Sequence, residues 1–175
     1  MQLYGSCHCR AVRFTVESRH PHPYQLCYCS ICRKTQGGGG FAINLSGDFQ
    51  TLRVQGKRDL RVYRALIRDP GDRRARRSTG QRHFCGKCGS ALWLYDPTWP
   101  QLVHPFASAI DSPLPCPPQR THLMLEFAPA WLTVFAEEQD LLFEGYPKES
   151  IAAWHQRNGV ELPAPRKPKK KGRKS

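Results

Sequence analysis

The sequence predicts a mainly antiparallel β domain with one or two short helices. Three observations carry this: short apolar runs rich in β-branched and aromatic residues, turn residues between them, and cysteines in tight groups. The runs are residues 11–16, 41–45, 52–54, 60–66, 91–95 and 123–127, separated by Gly, Pro, Asp and Ser. Residues 30–36 read as a short helix, with Ser30 as its N-cap and Gly37 as its stop. Residues 150–158 read as a second, ending at Gly159. Residues 69–74 combine turn chemistry with charge, as an exposed loop between two strands would. The run Gly37 to Gly40 reads as a flexible joint.

At 175 residues the chain suits one domain with a core large enough to fold without disulfides. The expected boundaries are a zinc-binding domain over residues 1–160 and a disordered, basic tail over residues 161–175. No apolar run approaches the roughly 18 residues of a membrane helix, and Met1-Gln2-Leu3-Tyr4-Gly5 has neither the charged start nor the apolar run of a secretory signal. A cytoplasmic protein with no membrane association is therefore expected, and in a reducing compartment eight cysteines point to metal or catalysis.

The net charge of +13 is concentrated: residues 166–175 carry +7, residues 57–77 carry +6, and the remainder sums to zero. Both basic stretches attract phosphate-rich partners nonspecifically, so nucleic acid is a minor candidate partner through the tail.

Seven cysteines fall into three groups: Cys7 and Cys9 as C-x-C, Cys27, Cys29 and Cys32 as C-x-C-x-x-C, and Cys85 and Cys88 as C-x-x-C. Such spacings bring sulfurs to one centre at little entropic cost, and Cys85-Gly86-Lys87-Cys88-Gly89 is a knuckle whose amides can point at sulfur. Two plus two makes a closed four-thiolate site of the structural kind, and three together leave one position open, as in catalytic zinc sites. The natural partition joins Cys7 and Cys9 to Cys85 and Cys88, although the count also permits Cys27 and Cys29 with Cys85 and Cys88. Zinc is favoured over iron because the groups look like knuckles. Cys116, between two prolines, reads as an ordinary single thiol.

These motifs resemble the glutathione-dependent formaldehyde-activating enzyme family, which includes the domain of centromere protein V. The matching residues are Gly5-Ser6-Cys7-His8-Cys9-Arg10 with Val12 and Phe14, then Cys27-Tyr28-Cys29-Ser30-Ile31-Cys32-Arg33-Lys34 and Gly37. They continue with Arg82-His83-Phe84-Cys85-Gly86-Lys87-Cys88-Gly89-Ser90 and Leu92, Ala109-Ile110-Asp111, His122, Trp131 and Phe143-Glu144-Gly145-Tyr146-Pro147. The resemblance implies an Mss4-like fold of stacked antiparallel sheets, a β-tent, around a structural zinc. It implies two zinc ions: a structural one on Cys7, Cys9, Cys85 and Cys88, and a catalytic one on Cys27, Cys29 and Cys32. It also implies a carbon–sulfur lyase chemistry like that of S-(hydroxymethyl)glutathione synthase, with a small thiol such as glutathione and a small aldehyde as partners.

An open position beside three thiolates would make an incoming thiol lose its proton and become a nucleophile. A helix starting at Ser30 would place Cys32 in its first turn, where the dipole favours a charged sulfur. A proton must reach the new hydroxyl, and His8, His83, His104 and His122 are candidates to deliver it. Two other function classes stand beside the enzyme: a zinc-stabilised binding module for protein or nucleic acid, and thiol-based metal storage or sensing.

Overall fold

Alternation of apolar and polar residues builds the first hairpin of the computed structural model, which describes residues 1–36, 38–68 and 71–160. Strands β1 (Gln2–Ser6) and β2 (Arg13–Glu17) pair antiparallel, turning Leu3, Phe14 and Val16 inward and Gln2, Tyr4, Arg13 and Glu17 outward. The chain continues through β3 (Tyr24–Cys27), α1 (Ser30–Gln36), β4 (Ala42–Asn44), β5 (Gly47–Asp48), β6 (Arg53–Gln55) and β7 (Leu60–Tyr63). Then come β8 (Leu66–Ile67), β9 (Arg76–Arg77), β10 (Gln81–Cys85), β11 (Ala91–Tyr95), β12 (Leu102–Pro105), β13 (Arg120–Leu123), β14 (Leu141–Leu142) and α2 (Ile151–Arg157).

The strands form sheets in the orders β1-β2-β6, β5-β12-β11-β10-β7 and β14-β13-β3-β4, with β8 and β9 as a separate hairpin. One core joins the three larger sheets, built on Leu3, Phe14, Leu26, Leu45, Trp93 and Phe106. The expected mainly β architecture with two short helices is found. It is less uniformly antiparallel than expected, because β13 runs parallel to both β3 and β14. The basic loop is the exposed turn of the β8–β9 hairpin, as anticipated, although Asp69 and Pro70 lie outside the described residues. Gly37, the expected helix stop, and the tail over residues 161–175 lie outside them as well.

Two local expectations are corrected. Residues 123–127 do not form a strand: β13 ends at Leu123, Met124 takes a left-handed backbone (φ 62), and Leu125–Phe127 is a 3-10 turn. The reason is tertiary, since Met124, Leu125 and Glu126 give their N–H groups to the carbonyls of Gly145, Phe143 and Glu144. The glycine run is not merely a joint, because Gly40 has φ 85 and a Cβ there would come within 2.7 Å of the Leu132 side chain.

Helix α2 begins where expected, with Ser150 Oγ accepting from the Ala153 N–H, and Gly159 follows it with φ 62. It docks by burying Trp154 and His155, and His155 Nε2–H donates to the His22 carbonyl at 2.6 Å. The ring of His20 lies 4.7 Å from that of His22 and 5.8 Å from that of His155. Burial first, then the positive fields of His20 and His155, push His22 down to about 4. The folded state thus disfavours protonated His22 while the unfolded chain does not, so this contribution is complete above pH 6.5 and is lost as pH falls towards 4. Urea unfolding at pH 7.5 and 4.5 should show His22→Gln losing less stability on acidification than wild type, by up to about 3 kcal/mol.

Candidate metal centres

The first cluster is made by two turns facing each other. Arg10 takes φ 59 and gives its N–H to the Cys7 carbonyl at 2.8 Å, curling the loop after β1 so that Cys7 and Cys9 sulfurs lie 3.6 Å apart. Across from it the β10–β11 turn closes with Cys85 N–H to Ser90 O and Gly89 N–H to Cys85 O, both 2.9 Å, and Gly89 supplies the φ of 74 that a side chain disfavours. Cys9 and Cys85 sulfurs are then 3.8 Å apart, and all four ligand atoms of Cys7, Cys9, Cys85 and Cys88 lie within 4.8 Å of one another. Backbone N–H groups of Val12 and Lys87 point at the sulfurs of Cys7 (3.2 Å) and Cys85 (3.4 Å), as the knuckle reading anticipated. Cys7 and Cys85 are buried, Cys9 and Cys88 exposed. The Ser90 hydroxyl, 3.2 Å from Cys88 Sγ, leads the contacts that hold that thiol down near 5.

The second cluster joins the end of β3 to α1. Cys27, Cys29 and Cys32 bring their sulfurs within 4.8 Å of one another, with Cys27 and Cys32 buried and Cys29 partly exposed. Among the described residues no fourth His, Cys, Asp or Glu joins them. The helix starts one position earlier than expected: Cys29 Sγ, rather than Ser30, accepts the Cys32 N–H at 3.3 Å, and the Arg33 N–H bonds to the Cys29 carbonyl. The sulfur favoured as an anion is consequently that of Cys29, held far down by hydrogen bonds from Cys27 and Cys32, while the same contacts drive the Cys27 thiol up. Three thiolates this close repel one another, so a cation is what allows all three to be charged together.

A polar network fixes this cluster from behind. Tyr28 lies between the two cysteines, gives its N–H to the Leu123 carbonyl, and its hydroxyl stands 2.8 Å from His122 Nδ1. His122 Nε2 faces Asp140 at 3.4 Å, and Arg120 grips the same carboxylate with Nε and Nη2, both at 2.9 Å. Burial favours a neutral Asp140, but the Glu137 and Arg120 backbone N–H groups and the guanidinium outweigh it and hold the carboxyl below its usual range. Burial also lowers His122, so the ring is neutral, accepting from Tyr28 and donating to Asp140.

Of the four histidines considered as proton donors, none belongs to the three-sulfur cluster. His122 is fully buried in its network, His104 donates Nδ1–H to Leu45 O at 3.1 Å, and His83 stacks on Trp93 with ring centroids 4.9 Å apart. His8 lines a surface hollow of about 300 Å³ with Cys7, Arg10, Ser90, Ser108 and Asp111, beside the four-sulfur cluster. That hollow and a smaller one under Trp154 both lie away from Cys27, Cys29 and Cys32. Two residues beside the three sulfurs stood in the matching motifs but were given no role from the sequence. Arg82, 8% exposed, places Nη2 3.8 Å from Cys32 Sγ. Tyr146, a mostly exposed residue, has its phenol pushed up to about 12, first by desolvation and then by the negative field of the three cysteines. Cys116 is exposed and joins neither cluster.

The glutathione-dependent formaldehyde-activating enzyme family matches residues 2–125, a span that holds both clusters. A Halomonas elongata protein, provisionally named as a glutathione-dependent formaldehyde-activating enzyme, is 60% identical over 161 residues, covering 92% of this chain and 99% of its own. The crystal structure of a Rhodobacter sphaeroides protein is similar at a TM-score of 0.50 and 26% identity, over 66% of this chain and 92% of the other.

The support network has a measurable weight. Asp140→Ala leaves the Arg120 guanidinium without its buried partner and His122 with an unsatisfied donor, and should lower stability by about 3 kcal/mol in urea denaturation.

Proposed function

Since the chain belongs to the glutathione-dependent formaldehyde-activating enzyme family, we propose that it joins a small thiol, of which glutathione is the type, to a small aldehyde such as formaldehyde, and cleaves the adduct in reverse as a zinc-dependent carbon–sulfur lyase. One observation carries the reading: a group of four sulfurs and a separate group of three, both within metal-binding reach. In this reading Cys7, Cys9, Cys85 and Cys88 hold a structural zinc, and Cys27, Cys29 and Cys32 hold a catalytic one. The donor chemistry fits. A zinc–sulfur bond of about 2.3 Å gives a tetrahedral edge of roughly 3.8 Å, and the neighbouring separations in the first group are 3.6 and 3.8 Å.

Zinc bound by three thiolates supplies acidity, making a thiol that joins it ionise at neutral pH. The chain's own residues do the rest. Buried Cys27 and Cys32 keep water from the inner side, and partly exposed Cys29 marks the side from which substrate arrives. Tyr28, tied to His122, keeps the two arms of the C-x-C at a set spacing. As the sulfur attacks the aldehyde carbon, a carbon–sulfur bond forms and the C=O π pair moves to oxygen, which must take up a proton. Tyr146, whose phenol keeps its proton to about pH 12, donates to that oxygen in preference to any of the four histidines. No group leaves, so the reverse step returns thiol and aldehyde.

The rival readings, a binding module and a metal store, require the three-sulfur group to be closed by a protein ligand or to be catalytically idle. The donor count of three and the exposure of Cys29 favour catalysis.

Cys29→Ser should retain fold and one zinc while losing at least about 100-fold in adduct formation. Cys88→Ser should lose the fold, with zinc counted by mass spectrometry, fold read by circular dichroism, and adduct followed by NMR of labelled formaldehyde with glutathione. Equal collapse of both variants would remove the case for distinct roles. Tyr146→Phe should lower kcat roughly 100-fold, with little change in KM for the thiol.

A further inference from the structure

Arg82 is a buried cation with no carboxylate partner among the described residues. Its side chain meets one hydrogen-bonding partner, Cys32 Sγ, at 3.8 Å from Nη2, while Nε and Nη1 are buried with none. Asp96, whose carboxylate feels the field of Arg82, is engaged instead with Thr79 and Thr98. A lone buried guanidinium is costly unless an opposite charge faces it, and sulfurs provide none until they ionise. Three thiolates around a divalent cation do, because together they carry one net negative charge.

The strand makes the placement inevitable. Arg82 and Cys85 are three residues apart on β10, so they project to opposite faces, one towards each sulfur group. The register of β10 against β7 is unbroken from Arg82 opposite Tyr63 to Cys85 opposite Leu60, and the shift between His83 and Phe84 lies in the pairing with β11, where Leu92 is the extra residue.

We propose that Arg82 is the counter-charge of the three-sulfur centre, a positioning residue that brings its net charge to zero and thereby lets it accept one further anionic ligand. This rests on the reading that Cys27, Cys29 and Cys32 hold a divalent metal. With Arg82 present, an arriving thiolate raises the centre from zero to one negative charge; without it, the same step runs from one to two. A neutral ligand meets no such penalty in either case. The balance therefore selects for thiolates, the class of ligand the proposed reaction needs.

The test uses the full chain with cobalt(II) as probe, in wild type, R82M, R82K and R82Q, with visible absorption reporting the sulfur-bound ion. Metal stoichiometry is measured first, then titrations with 2-mercaptoethanol, which binds as an anion, and with imidazole, which binds neutral. Wild type should take up two equivalents, and R82M should bind 2-mercaptoethanol roughly 10- to 100-fold more weakly with imidazole within about threefold of wild type. R82K should recover most of the loss. An R82M that matches wild type, or that weakens both ligands equally, overturns the inference and leaves the proposed function standing. A wild type that takes up a single equivalent overturns the function reading and this inference with it. Should R82M not fold, R82K and R82Q carry the comparison: lysine must keep thiolate binding and glutamine must lose it, and equal behaviour sinks the idea.

Discussion

The crowding of sulfur is the constraint on which this structure depends. Seven cysteines gather in two groups whose ligand atoms lie within 4.8 Å of one another, and four of them, Cys7, Cys27, Cys32 and Cys85, are buried in the hydrophobic core. Sulfurs so placed cannot all be charged without a cation between them, and uncharged they would be ordinary small core residues with no reason to converge. Strand β10 links the groups, with Cys85 on one face and Arg82 on the other. Displacing that strand would disturb both centres at once.

The division of the cysteines was legible because ligand geometry is local. A C-x-C or C-x-x-C spacing commits its sulfurs to one centre wherever the chain goes, and the count gives four plus three, although it left open whether Cys7 and Cys9 or Cys27 and Cys29 join Cys85 and Cys88. The strand at 91–95, and the one expected at 52–54 and found at 53–55, were legible for a similar reason, since period-two alternation is a local signal. Strands β3, β10 and β12 were not, because Gln25, Arg82 and His104 interrupt the apolar pattern. Met124 is another such case: its left-handed backbone is paid for by bonds to residues 143–145, which no window around 124 contains. Cys29 displaced Ser30 as the helix cap because a sulfur already fixed by its neighbours meets the Cys32 N–H. The roles of Arg82 and Tyr146 depend on which sulfurs they face, and that is long-range information.

The polar network behind the three sulfurs differs in kind from the sulfurs themselves. Tyr28, His122 and Asp140 are nearly or fully buried, and each member answers the next with a donor or an acceptor. A chain of this sort is rigid when complete and costly when interrupted, which suits a device for holding a C-x-C at constant spacing more than one for moving protons to solvent. In the proposed reaction, proton delivery falls to Tyr146, on the exposed side.

The parallel pairing of β3 with β13 sets an order of assembly. All four cysteines of the first group are present once 88 residues have emerged, and the two turns that carry them close mainly on local bonds. Cys27 sits on a strand whose neighbour is Leu123, and the network bracing Tyr28 ends at Asp140. On a ribosome the four-sulfur knot can therefore take shape while its three-sulfur counterpart still lacks a wall to lean on, and the growing chain passes through a stage with one sulfur group assembled before the other.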